Sequence, residues 1–169
     1  MVSKDIYGVV QQTISCEYDV NDLRVKDIVN DIVENYYLDE DNITFVTDGV
    51  GDRTFHYLYG LEADQVLAQD SLTGMVWSLA DRLGSIDVLV NEQGVIVDQL
   101  TYDSFGNTLS QLDPNVKFRF GYTGRESDPE TGLYYYRARY FDGNVGRFIS
   151  TDPIGFEAGD SNLYRYVGN

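Results

Sequence analysis

Residues 25–37, VKDIVNDIVENYY, fit two different secondary structures, and the choice between them decides the fold. A β-hairpin would turn at Asn30-Asp31, where both residue types tolerate the backbone angles of a turn. Residues 28–33 include four β-branched residues, which lowers the helix propensity of this segment. We therefore predict the hairpin. The alternative is an α-helix with an apolar stripe formed by Ile28, Val29, Ile32, Val33 and Tyr36.

Alternating polar and apolar residues extend along the rest of the chain. The pattern is clear in TISCEY (13–18), RTFHYLY (53–59), SIDVLV (85–90) and KFRFGY (117–122). A period of two is typical of strands in a sheet with one solvated face. Aromatic residues make up 14% of the chain, and they favour half-buried pleated surfaces. Both features predict further β-strands.

Turn-forming residues separate these runs. Each turn combines Asp or Asn with Gly or Pro. Asp and Asn side chains bond to their own backbone, Pro presets φ, and Gly accepts positive φ. The strands and turns together predict an all-β meander of antiparallel hairpins. The turn segments are DGVGD (48–52), NEQG (91–94), DSFGN (103–107), DPN (113–115), DPETG (128–132) and DGNVG (142–146).

A soft repeat accompanies the meander. Tyr18-Asp19 recurs as Tyr102-Asp103, an interval of 84 residues that equals four units of 21. One hairpin cannot bury its own apolar face, so neighbouring hairpins are expected to continue one sheet.

The charge balance excludes some partners. Lys and Arg number 12 and Asp and Glu number 28, which gives a formal net charge of −16. Such a chain repels a phosphate backbone, so we predict no nucleic-acid binding, whereas a basic partner would be attracted. A solvated acidic surface and adaptation to high salt explain the same balance without any partner.

Metal, cofactor and membrane signals are weak. The single cysteine, Cys16, cannot form an internal disulfide and is interpreted as a small core residue. His56 has neither a second His nor a Cys nearby, and the acidic run at residues 39–42 lacks the order of a calcium-binding loop. We predict no metal, no cofactor and no membrane span. The start of the chain lacks the apolar region of a secretory signal, so export would need a longer chain or a dedicated machinery.

Several segments resemble one family. EYDVNDLRV (17–25) and TYDSFGNTL (101–109) resemble the YD repeat, a Tyr-Asp pair followed by a turn and a strand. Residues 77–107 are similar to the stretch that precedes the core of rearrangement hotspot (RHS) proteins, and residues 120–169 closely resemble the RHS repeat-associated core domain. The resemblance places a YD-repeat segment at 1–115 and the core domain at 116–169.

The resemblance implies a fold and an activity. RHS and YD-repeat proteins, which include the C subunits of insecticidal toxin complexes and the teneurins, form a curved, spiralling β-sheet that closes into a hollow shell. In the bacterial members a C-terminal toxin lies inside. The core domain plugs one end of the shell and severs the toxin by an aspartyl-protease-like reaction at a second DPxGL motif.

Asp152 is the candidate catalytic residue. Asp152-Pro153-Ile154-Gly155 matches the first motif, and a carboxylate protease needs two carboxylates that share a proton. Pro153 would fix the backbone beside the first of them. The alternative is structural, because Asp-Pro commonly opens a turn, as we expect at Asp128-Pro129. The sequence after Gly155 contains no second DPxGL, so this chain, interpreted as a fragment or a truncated gene copy, is not expected to complete the reaction.

Two further features have alternative interpretations. Arg147 would suit an oxyanion, but Arg137, Arg139 and Arg147 are interpreted as partners of carboxylates or covers for tyrosine rings. The run LYYYRARYF (133–141) reads as one alternating strand, and we favour a buried structural strand over an exposed sugar-binding platform.

These observations predict a shell segment of a polymorphic toxin. In its parent it would enclose a C-terminal toxin domain, basic in character, and release it by self-cleavage. Partners would include a secretion apparatus or toxin-complex subunits, and the location would be secreted or cell-surface. A non-catalytic surface module that binds carbohydrate or protein is the alternative. A rearrangement relic that self-associates through open sheet edges is a third hypothesis.

Overall fold

The computed structural model describes residues 2–4 and 10–167. In that part of the chain the regular structure consists of antiparallel β-strands and two short 3-10 helices, Tyr122–Gly124 and Gly155–Ala158. No helix within it is long and apolar enough to cross a membrane. The chain forms two compact units, Met1–Leu58 with Asp70–Thr73, and Tyr59–Gln69 with Gly74–Asn169. The predicted all-β antiparallel meander is confirmed.

The first unit is a meander in which each strand pairs with the next along the chain. Ile14, Tyr36, Ile43 and Val46 are buried in it, and Val46 is fully enclosed. Its strands are β1 (Val2–Lys4), β2 (Val10–Tyr18), β3 (Arg24–Val29), β4 (Ile32–Asp39), β5 (Asn42–Asp48) and β6 (Arg53–Tyr59), the last residue of which belongs to the second unit.

The ambiguous segment at residues 25–37 is a hairpin, as predicted. β3 and β4 pair through Ile28 with Val33 and through Val29 with Ile32. Asn30 and Asp31 have φ values of 50° and 70°, which is the left-handed pair of a two-residue hairpin turn. The amide oxygen of Asn30 also accepts the N–H of Thr13 on β2 at 3.0 Å. In an α-helix, Asn30 and Asp31 would not have the positive φ values that form this turn.

The second unit holds a further meander and a smaller sheet. In the meander each strand again follows its predecessor, with Val66, Ala68, Ile86 and Leu89 buried. Its strands are β7 (Val66–Ser71), of which residues 70–71 belong to the first unit, β8 (Gly74–Ala80), β9 (Ile86–Asn91), β10 (Ile96–Tyr102) and β11 (Thr108–Gln111). The four-stranded sheet comprises β12 (Glu126–Asp128), β13 (Leu133–Tyr136), β14 (Arg139–Asp142) and β15 (Arg147–Phe148).

One five-residue turn recurs along the chain and explains the aspartate of the YD repeat. In the turn at Asp103, one carboxylate oxygen accepts the N–H of Phe105 at 2.8 Å and of Asn107 at 3.0 Å. The fourth residue, Gly106, has a φ of 84°. Four other turns share this bonding from the first side chain to the third and fifth N–H groups, and they begin at Asp19, Asp48, Asp81 and Asn91.

The predicted repeat corresponds to a pair of strands. Between Asp19 and Asp103 lie β3 to β10, which form four two-strand units over 84 residues. The 21-residue interval is therefore the length of two strands and their two turns. The residue that heads the turn caps it through its side chain, which gives each unit a defined end.

Two strand predictions are wrong. KFRFGY (117–122) forms only an isolated bridge from Phe120 to Glu126, because the side chain of Gln69 bonds its backbone instead, at Lys117 O (2.7 Å) and Arg119 N (3.2 Å). LYYYRARYF (133–141) is a hairpin and not one strand. It turns at Arg137-Ala138, where Arg137 has a φ of 56°.

Candidate functional site

An aromatic cluster forms the core of the four-stranded sheet. Because residues 133–141 fold back, Tyr134 lies opposite Phe141, and Phe141 lies opposite Phe148. Phe141 is fully buried, and its ring meets that of Phe148 edge-on at 5.9 Å. Tyr135 is also buried. The structural interpretation of the tyrosine run is confirmed, since its rings pack inside and do not form an exposed platform.

Tyrosine hydroxyl groups connect this core to the turns of the neighbouring meander. Tyr122 donates to Ser104 O at 2.9 Å, and Tyr134 donates to Gly106 O at 2.8 Å. Burial raises the pKa of Tyr134 to about 12 and also raises that of Tyr102, which donates to a carbonyl on β9. The neutral hydroxyl is therefore the form that the fold holds.

A second connection is an ion-pair cluster around Asp64, in the loop before β7. Its two carboxylate oxygens contact Arg125 at 2.7 Å and Arg137 at 2.8 Å. The guanidinium of Arg125 also lies 4.9 Å from the ring centre of Tyr136. Pairing of Arg137 with a carboxylate was predicted. Asp64 as the partner was not, because it lies 73 residues from Arg137 in a loop without a local signal.

Asp152, the predicted catalytic residue, lies just after β15 in a turn held on three sides. One carboxylate oxygen accepts the N–H of Ile154 at 2.9 Å, and the other contacts the guanidinium of Arg139 at 3.1 Å. The N–H of Asp152 donates to Leu163 O at 2.8 Å, on the chain that returns after the motif. Both side chains of the ion pair are about four-fifths buried, at 18% and 19% exposed.

Arg139 lies on β14, and its guanidinium orients the carboxylate of Asp152. It is the β14 residue that pairs with Tyr136, and its guanidinium stacks 3.7 Å from the ring centre of Phe148. The ring and the carboxylate together restrict the long side chain. Arg147 instead covers the ring of Tyr164 at 5.6 Å. The interpretation of these arginines as carboxylate or ring partners is confirmed.

Other carboxylates in this part of the chain cap turns. Asp142 accepts the N–H of Asn144 at 2.8 Å, Asp160 accepts that of Asn162 at 2.8 Å, and Asp128 accepts that of Glu130 at 3.0 Å. Asp160 also contacts Arg165 at 3.2 Å. Asp152 shares the turn geometry and adds a largely buried contact with the guanidinium of Arg139 on β14. That contact distinguishes it from the Asp128 turn, which was expected to be purely structural.

The chemistry available at this site is that of one fixed carboxylate. A carboxylate in this position can accept a proton from water or share one with a second carboxylate, and a guanidinium can stabilise a developing oxyanion. Among residues 2–4 and 10–167, no group of three or more His, Cys, Asp or Glu side chains is arranged to hold a metal ion. At Cys16, burial and the carboxylate of Asp27 raise the pKa of the thiol.

A match over most of the chain identifies the family. Residues 11–169 match the teneurin YD-shell model, and the chain belongs to that family. It is similar to the tRNA nuclease WapA of Bacillus subtilis (strain 168), with 34% identity over 160 residues, which are 90% of this chain and 7% of WapA. Toxin subunit YenC1 of Yersinia entomophaga is 38% identical over 98 residues, 55% of this chain and 10% of that subunit.

Solved toxin-complex structures share the fold. A crystal structure of TcdB2-TccC3-TEV superposes with a TM-score of 0.69 at 20% identity, over 98% of this chain and 9% of that one. The Photorhabdus luminescens Tc holotoxin pore gives a TM-score of 0.65 at 19% identity, with the same coverage of 98% and 9%. The predicted resemblance is confirmed: the chain is a YD-shell domain of the RHS and Tc toxin type. It spans less than a tenth of WapA and of these two structures.

Proposed function

We propose that the chain is the shell segment of a polymorphic toxin, which encloses a C-terminal toxin and releases it by self-cleavage. Residues 1–115 would supply YD-repeat shell and residues 116–169 the core domain. Asp152 would be one carboxylate of an aspartyl-protease-like pair. The second carboxylate and the scissile bond would lie on polypeptide that follows Asn169 in the parent protein.

The geometry of Asp152 is the observation that carries this proposal. Its carboxylate lies on an ordered turn, and Arg139 holds the oxygen that the turn leaves available. Its backbone bonds the returning chain at Leu163. This bond brings polypeptide from beyond the motif close to the carboxylate, and an intramolecular reaction gains most from such fixed proximity.

The cargo is proposed from charge and from the relatives. A formal charge of −16 favours a basic cargo, and one relative is named a tRNA nuclease and another a toxin subunit. A nuclease binds the phosphate backbone through basic side chains, so a nuclease cargo fits both the acidic shell and the names of the relatives. Partners would be toxin-complex subunits or a secretion apparatus, with the assembled protein secreted or at the cell surface.

The test is intact mass of an extended chain. The protein is produced with the residues that its gene encodes after Asn169, or with the second-motif segment of a relative, followed by a small reporter. Asp152→Asn keeps an oxygen for the Ile154 N–H but removes the acid. Asp128→Asn is the matched control, because Asp128 also caps an Asp-Pro turn.

We expect cleavage in the wild-type chain and in Asp128→Asn, and a full-length mass in Asp152→Asn. Cleavage at the wild-type rate in Asp152→Asn would overturn the assigned catalytic role. Full-length protein in all three, from folded protein with its own extension, would leave a non-catalytic surface module. A glycan array on the same sample would then identify carbohydrate binding.

A further inference from the structure

The chain that follows the DPIG motif returns to the core at few points. Most side chains of residues 153–167 are exposed, among them Ile154 at 63% and Phe156 at 74%. Two backbone hydrogen bonds attach the segment to β15 and its turn: Phe148 N–H donates to Tyr164 O at 3.0 Å, and Asp152 N–H donates to Leu163 O at 2.8 Å. These bonds alone are a weak attachment for a segment without regular structure at this end.

The side chain of Tyr166 supplies a third attachment. Its ring centre lies 4.2 Å from that of Phe141, the fully buried centre of the aromatic cluster. It also lies 5.6 Å from Tyr136 and 5.7 Å from Phe148, both in edge-on geometry. Aromatic pairs of this kind stabilise the packing beyond the area that they bury.

The hydroxyl of Tyr166 completes the attachment. It lies 2.8 Å from the hydroxyl of Tyr136, which in turn hydrogen-bonds the hydroxyl of Thr123. Burial raises the pKa of Tyr136, so its hydroxyl is held in the neutral form. Tyr164, two residues earlier, differs: its ring is 38% exposed and contacts Arg147.

We propose that Tyr166 is an anchor that fixes the returning segment, residues 159–167, beside Asp152. It is a positioning residue and not a catalytic one, and its role in cleavage rests on the proposed function. The ring inserts among side chains of β13, β14 and β15, so the polypeptide leaves the core from a fixed point. Loss of the anchor would leave the segment held by two backbone bonds and by the exposed contact of Tyr164 with Arg147.

The anchor predicts a specific pattern of amide protection. In the chain as it stands, residue-resolved hydrogen exchange is measured at the amides of Phe148 and Asp152, which donate to the returning segment. Tyr166→Ala is expected to reduce their protection at least tenfold, whereas Tyr164→Ala leaves it within twofold. Tyr166→Phe retains the ring and is expected to restore most of the protection. Unchanged protection in Tyr166→Ala would overturn the anchor.

Folding of each variant is checked in the same experiment. The amides that pair β13 with β14, such as those of Tyr134 and Tyr136, report whether the small sheet persists. If Tyr166→Ala unfolds the sheet, Tyr166→Leu replaces it, because leucine fills part of the space without the ring contacts or the hydroxyl. Local loss of protection with the sheet intact supports the anchor, and loss only on global unfolding overturns it.

Cleavage of the extended chain tests the positioning role. A displacement of about 1 Å costs on the order of 100-fold in a positioned reaction, so we expect Tyr166→Ala to slow release roughly 10–100-fold and Tyr164→Ala to leave it unchanged. Absence of cleavage in the wild-type chain would count against the proposed function, while the exchange result still decides the anchor. Lost protection with unchanged cleavage would overturn the positioning role.

Discussion

The carboxylate of Asp64 joins two segments that are distant in sequence, and Asp64→Asn tests how much it contributes. Asparagine keeps the size of the side chain and tolerates the left-handed backbone at this position, where φ is 58°. The substitution therefore removes the charge with little added strain. Arg125 and Arg137 would be left without their shared anion at distances of 2.7 and 2.8 Å.

The magnitude follows from the burial. The side chain of Asp64 is 20% exposed and those of Arg125 and Arg137 are 21% and 28% exposed, so solvent screening is partial. Two hydrogen bonds between ionised partners, at the low end of their range, give about 3 kcal/mol, and the neutral amide oxygen keeps one weaker bond to a guanidinium, of about 1 kcal/mol. We expect Asp64→Asn to lower the free energy of unfolding by about 2 kcal/mol.

The assay is urea unfolding of the whole chain, followed by Trp77 fluorescence and by the circular dichroism of the β-strands. Agreement between the two probes justifies a single free energy. Asp70→Asn is the matched control, because its partner Arg53 is 57% exposed at 3.3 Å and such a pair contributes about 0–1 kcal/mol. If Asp64→Asn cost no more than Asp70→Asn, the cluster would be an incidental surface contact.

Three further predictions concern the turns and the buried tyrosines. Asp22→Gly places glycine at the left-handed fourth position of the first turn, where φ is 60°. We expect it to raise the melting temperature by the equivalent of about 0.5 kcal/mol. A lower melting temperature would contradict the turn assignment. Gly106→Ala should lower the free energy of unfolding in urea by about 2 kcal/mol or more, since φ is 84° and a Cβ would lie 2.6 Å from the ring of Tyr122. A neutral effect would argue against this close packing. Burial raises the pKa of Tyr134 from 10.0 to about 12, so the folded chain holds this proton more tightly than the unfolded chain. This contribution to stability is fully present below about pH 10. Towards pH 12 the free energy of unfolding falls by up to about 3 kcal/mol. Tyr134→Phe should show a shallower loss in alkaline urea titrations, and an identical slope would contradict the assignment.

The elements that the sequence predicted well are those fixed by local chemistry. The hairpin at Asn30-Asp31 follows from two residues that accept positive φ between β-branched runs. The turns follow from side chains that bond their own backbone within four residues, as at Asp103. These interactions are contained in a short window, so a short window of sequence is enough to predict them.

The elements that were missed depend on distant residues. KFRFGY alternates like a strand, but Gln69 occupies the backbone groups that a neighbouring strand would need. The run LYYYRARYF contains no Gly, Pro, Asn or Asp to mark its turn, because Arg137 adopts the left-handed conformation while its side chain bonds Asp64.

The surroundings of the proposed site also depend on distant residues. Asp152 was proposed as a site residue from its motif, whereas its ion pair with Arg139 depends on how two strands pair and could not be assigned from spacing. The anchoring ring of Tyr166 gave no signal in the sequence, because 14 tyrosines in the chain look alike until their burial is known.

Asp152 is proposed to perform chemistry and not only to cap a turn. The most direct measurement is the intact mass of the extended Asp152→Asn chain, taken with its melting temperature from the same sample. Asparagine can still accept the Ile154 N–H, so we predict a folded protein of full-length mass under conditions in which the wild-type chain is cut. A folded Asp152→Asn protein that is cut at the wild-type rate would contradict the account and leave Asp152 as a turn residue.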